Sequence, residues 1–264
     1  MKLEPESEKY RLEQAYAYVN LGVIALREAR DPARAERYFA ASQVAFRAID
    51  NRRPNDPDII YNIADGEAWL ADVELERRNF VAAHMHRIEQ KHLVDALLAM
   101  QPRNLLFRLA NSSNQIGEAA LASAQGFHKA ALIKLHAAYA ESIGLLATDP
   151  QNTSLATRKR AIELMQADSE LELAASDPRA LARAEGLIRD CESDWTLSAD
   201  AELPVYCSIL TSRAALLRND AARARRIMSD ARLDNWLRSS ALSPSWQLDF
   251  RAECRKLGVD SLCR

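Results

Sequence analysis

The feature that most constrains this chain is the spacing of its apolar residues. They recur at helical intervals almost from end to end, and period-2 alternation is nearly absent. Such stripes are stable only when packed against other helices, so the expected class is all-α. Composition agrees. Seven glycines and nine prolines in 264 residues are too few for the turns of an all-β fold or for a Rossmann-type nucleotide loop. A chain that is 48% hydrophobic and 27% charged is expected to fold and stay soluble. Helix starts are marked where a capping oxygen precedes a proline, at Asp31-Pro32, Asp56-Pro57, Asp177-Pro178 and Ser243-Pro244.

Three linkers look alike: Pro54-Asn55, Pro102-Arg103-Asn104 and Pro150-Gln151-Asn152. Their prolines lie 48 residues apart, an interval that suits stacked helical repeats. The helices around them align as well. Tyr18-Val19-Asn20-Leu21-Gly22, Trp69-Leu70-Ala71 and Asn114-Gln115-Ile116-Gly117 each set a large aliphatic residue before a small one. The spacing predicts helix pairs at 8–29 and 33–52, 57–77 and 80–100, 104–124 and 127–147, 153–175 and 178–191, and 203–218 and 220–239. A last helix is expected at 244–257. The reading is one continuous α-solenoid of about five antiparallel pairs with a C-terminal capping helix. Its pairs are regular over 1–150 and less regular over 151–264, with an irregular stretch at 191–203.

At these residues the chain resembles a tetratricopeptide repeat protein. That pattern sets an aromatic before Leu-Gly in the first helix and Ala-x₃-Phe in the second. Tyr18, Leu21 and Gly22 with Ala35 and Phe39 reproduce it most fully. Leu70-Ala71 with Ala83, and Ile116-Gly117 with Ala131 and Leu135, keep less, and Ala184 with Ile188 and Ala224 with Met228 less again. The period exceeds the usual 34 or so. It is similar to the extended repeats in C-terminal regions of multi-domain bacterial signalling proteins. The resemblance implies a concave groove lined by the first helix of each pair. Transferred residue by residue, the groove would hold Tyr16, Val19, Val23 and Arg27, then Asp65, Ala68, Asp72 and Glu76, then Asn111, Asn114 and Glu118. Asn side chains can pair with a peptide backbone, and the acids would favour a basic segment. The Lys/Arg set that clamps a C-terminal carboxylate in chaperone-docking relatives is missing. The expected function is non-enzymatic: a scaffold that binds a peptide or helix of a signalling partner. The competing reading is a regulatory domain that senses a small ligand or signal peptide in a pocket between pairs. Homo-oligomerisation through an exposed terminal repeat is a third.

Other chemistry is expected to be absent. No GxSxG, GxxxxGK[ST], HExxH or EF-hand motif occurs, so neither catalytic residues nor a cofactor is assigned. His84, His86, His92, His128 and His136 lack the spacing for one metal. A net charge of −2 argues against a nucleic-acid partner, although Arg223, Arg225 and Arg226 form a local basic run. No apolar run approaches a bilayer span, so membrane insertion is not expected. Trp195, Trp236 and Trp246 suit a terminal cap or a partner anchor, while Trp69 either edges the groove or packs between pairs. Cys191, Cys207, Cys254 and Cys263 read either as reduced thiols of a cytoplasmic protein or as two disulfides of an extracytoplasmic domain.

Overall fold

The computed structural model describes residues 8–189 and 202–229, together with Arg255. These form an all-α protein, and no strand occurs among them. The helices are α1 (Glu8–Arg27), α2 (Pro32–Asp50), α3 (Pro57–Glu76), α4 (Phe80–Met100), α5 (Leu105–Ala124), α6 (His128–Thr148), α7 (Thr153–Leu173), α8 (Ala180–Ile188), α9 (Glu202–Leu217) and α10 (Ala221–Met228). The first seven follow the apolar spacing closely. α10 ends at Met228 with Ser229 as its C-cap, and the rest of the span expected to reach 239 lies outside the described residues. The helix expected at 244–257 lies outside the described residues, apart from Arg255.

The linkers repeat because their capping chemistry repeats. Asp56, Asn104 and Asn152 are the N-caps of α3, α5 and α7, each accepting a backbone N–H of its helix. The shorter turns share a second device. Arg30, Arg78 and Gly126 follow α1, α3 and α5 and all have positive φ. Like the linker prolines, these three positions are 48 residues apart. After each, a backbone N–H reaches back to a carbonyl of the finished helix: Asp31 to Ala25, Asn79 to Glu74, Phe127 to Ala122. Such a left-handed residue satisfies carbonyls that the helix end would strand. Asp31 caps α2 as expected, its Oδ1 accepting the Arg34 N–H at 2.9 Å. Asp177 does not cap α8 directly. It accepts the Arg179 N–H, and the helix begins at Ala180 after a turn that contains Pro178.

The chain divides into two compact units, residues 1–127 and 128–264. The division falls between α5 and α6, inside what the spacing reads as a third pair. In the first unit, neighbouring helices pack in sequence from α1 to α5, and α3 also meets α5. Its core has separate foci. Phe46, Ile49, Ile59 and Ile63 join Ala15, and Phe39 and Val73 join Ala25 and Ala35. Ile60 and Leu97 close on Phe107.

In the second unit α7 carries the core. Leu164, Ala167 and Leu171 meet Ala184 and Ile188 of α8 and Cys207, Leu210 and Ala214 of α9. Cys207 is disulfide-bonded, which favours the paired reading of the cysteines over the reduced one. Cys191, Cys254 and Cys263 lie outside the described residues. α6, with a mean hydropathy of 1.2, is long and apolar enough to cross a membrane by length and composition. Its Ala131, Leu135, Ala138 and Leu145 are buried, and it packs against α7.

Candidate functional site

All of the expected groove residues sit on α1, α3 and α5 of the first unit. The helices approach closely because small residues face large ones. A Cβ on Gly22 would lie 2.5 Å from the Phe39 ring, and one on Gly117 would lie 2.1 Å from the Arg87 guanidinium carbon. Phe39 and Arg87 therefore occupy space that only glycine leaves open.

Phe39 is fully buried and positions Trp69. The two rings stack with centroids 5.5 Å apart and an interplanar angle of 7°. Trp69 then organises the site. Its Nε1–H donates to Asp65 Oδ2 at 3.1 Å, one helical turn away. The Arg27 guanidinium lies over its ring, 5.2 Å from the centroid. An arginine over an indole face is attracted by the ring quadrupole. Burial pushes the Asp65 carboxyl above its ordinary range, and the neighbouring Asp72 adds to that push while the indole N–H opposes it.

Asp72 is the hinge of the site. Its carboxylate pairs with Arg87 from α4, yet its side chain stays 42% accessible while that of Arg87 is only 6% accessible. Partial desolvation by the packed helices raises its pKa as well, against the pull of Arg87 and Arg27. Arg87 also donates to Gln90 Oε1 at 2.8 Å, and Asn114 Nδ2 donates both to the Arg87 carbonyl at 3.0 Å and to Gln90. Asn114 is thus fully buried at the α4–α5 contact, where it joins helices and cannot meet a ligand. The middle of the site is also less acidic than the sequence suggests, since Arg27 and Arg87 balance Asp65 and Asp72.

The remaining expected residues lie around this centre. Tyr16 is 40% exposed, sets its ring edge-on to Phe46, and accepts a hydrogen bond from Asn62 Nδ2 at 3.2 Å. Glu76 is exposed near the end of α3, and Asn111 and Glu118 are half-buried on α5. Sequence reasoning missed a second charged cluster on α3. The buried Glu67 accepts from Arg47 at 2.8 Å and lies within hydrogen-bond reach of His86 Nδ1, at 2.7 Å. Burial alone would raise the Glu67 pKa, but the hydrogen bonds from His86 and Arg47 hold it below the ordinary range. The missed signal was an acid two residues from Asp65, on the opposite side of the helix. Among the described residues no three His, Cys, Asp or Glu side chains converge as metal ligands.

No protein-family model matches the chain, and neither does any curated protein or solved structure.

Proposed function

We propose that the α1–α3–α5 face of the first unit is a non-enzymatic docking groove for a peptide segment that carries arginine or lysine. The observation that carries the reading is the Arg27 guanidinium seated on Trp69 beside Asp72. An indole face flanked by two carboxylates is a seat for a cation, and here the chain's own side chain fills it. Arg27 is exposed, so a partner's guanidinium can take its place. The tetratricopeptide-like pattern supports the same reading, as does its likeness to repeats of larger bacterial signalling proteins. The Cys207 disulfide favours an oxidising, extracytoplasmic setting over the cytoplasm.

The test is fluorescence anisotropy of labelled ten-residue peptides, one Arg-rich and one with its arginines replaced by glutamate. The Arg-rich peptide should bind, more weakly as salt rises. Asp65→Asn should weaken binding about tenfold, within the range for a charge-assisted contact. Arg27→Ala should strengthen it by emptying the seat. Binding of both peptides alike, or Arg-peptide binding that neither variant alters, would refute the groove.

A further inference from the structure

The second unit holds a cleft of about 230 Å³ between α8, α9 and the start of α10. Its walls carry three arginines, Arg189, Arg218 and Arg223, and two acids, Glu185 and Asp220. Both acids have structural partners. Arg218 grips Glu185 with two hydrogen bonds of 2.9 and 2.8 Å, which tie α9 to α8. Asp220 Oδ1 accepts the Arg223 backbone N–H at 2.9 Å and caps α10. Arg223 adds its field to that of Arg218 on Glu185, but neither Arg189 nor Arg223 makes a contact ion pair among the described residues, and each comes from a different wall. Between them the lining is aliphatic: Ile188, Ala214 and Ala215 are 5%, 4% and 3% accessible.

We infer that this cleft binds a small organic carboxylate, its charged end between Arg189 and Arg223 and its apolar body on Ile188 and Ala214. Guanidinium groups recognise carboxylates through parallel N–H bonds, and two of them from separate helices fix a headgroup's position. The aliphatic lining gives an apolar body something to bury, which a bare inorganic anion lacks. Glu185 stands beside the cationic wall and would repel a second negative charge, so a monoanion fits better than a dianion. The cleft is separate from the groove proposed for the first unit. It also gives the basic run at Arg223, Arg225 and Arg226 a division of labour: Arg223 faces the cleft, and Arg225 and Arg226 do not line it.

The test is isothermal titration of the full chain with benzoate, with inorganic phosphate as the charge-only probe. Benzoate should bind the wild type at least tenfold more tightly than phosphate. Arg223→Gln and Arg189→Gln should each weaken benzoate about tenfold or more, while Arg225→Gln on the same helix should leave it unchanged. The backbone N–H that Asp220 caps survives these changes, and thermal melts without ligand would confirm that each variant folds. No benzoate binding, equal binding of both probes, or equal loss in Arg225→Gln would each overturn the proposal.

Discussion

Asp65 and Glu67 stand two residues apart on α3 and answer pH in opposite directions. Asp65 has a raised pKa, so the fold favours its protonated form. The stability it contributes is present below the unfolded pKa and is lost as pH rises through the folded one. Asp65→Asn keeps an acceptor for the Trp69 N–H and removes the charge. It should therefore stabilise the chain at pH 7, with the gain shrinking to nothing in acid. Glu67 has a lowered pKa, so its contribution is present above the unfolded value and is lost as pH falls. Glu67→Gln should cost about 1.5–3 kcal/mol at pH 7, the range for hydrogen bonds to charged groups, and little near pH 3. Urea unfolding of both variants from pH 3 to 8 reads these slopes, and parallel slopes would refute the assignment. The sequence showed which α3 residues are polar but not how deep they lie. Asp72 and Asn114 looked alike as groove residues, yet one keeps an accessible edge and the other is sealed by Arg87 and Gln90. Depth depends on the facing helix, and Gly117 made room for an arginine that no helical spacing on α5 reveals.

Elements were more legible because their ends depend on local chemistry. Asp31 and Asp56 stop one helix and start the next within a few residues, so α2 and α3 begin at the prolines that mark them. Asp177 misled because its side chain bonds to the Arg179 N–H and pairs with Arg183, holding a turn ahead of α8. Helix interiors give a sharper test through two glycines. A Cβ at Gly22 would meet the Phe39 ring, which is buried and stacked on Trp69 and has no free direction in which to move. Gly22→Ala should destabilise by about 1–3 kcal/mol despite alanine's better helix propensity, as overpacked cores do. A Cβ at Gly186 in α8 would meet nothing within 4 Å. Gly186→Ala should stabilise by roughly 0.5–1 kcal/mol through backbone entropy alone. Chemical denaturation of the two variants reads the sign of each. Stabilisation by both would mean that helix propensity, and not the approach of α2 to α1, decides at Gly22. Moving Phe39 would also move Trp69, so Gly22→Ala should weaken Arg-peptide binding although residue 22 touches no ligand.

At the scale of the whole molecule the 48-residue interval is the sequence's most informative number. The prolines at 54, 102 and 150 carry it, and so do the left-handed turns at 30, 78 and 126. That regularity hid the division after Phe127, because repeating turns record how helices are connected and not how firmly neighbours pack. The second unit has no left-handed turn between α7 and α8, and its core gathers instead around α7 and Cys207. A disulfide there constrains the unfolded chain and stabilises by about 2–4 kcal/mol in the usual range. For a chain of this size each kcal/mol moves Tm by roughly 2–4 °C. Reduction with dithiothreitol should thus lower the melting temperature by on the order of 10 °C, and Cys207→Ser should melt low with or without reductant. Because Cys207 is packed against Leu164, Ala184 and Leu210, the loss should be felt by far-ultraviolet and near-ultraviolet signals of the second unit together. Thiol titration of the denatured, unreduced chain supplies the decisive control. Four free thiols and an unmoved Tm would remove the bridge, and the argument for an oxidising compartment would fall with it. A bridge found by titration with no effect on Tm would leave the compartment standing but place the second unit's stability in its α7-centred packing alone.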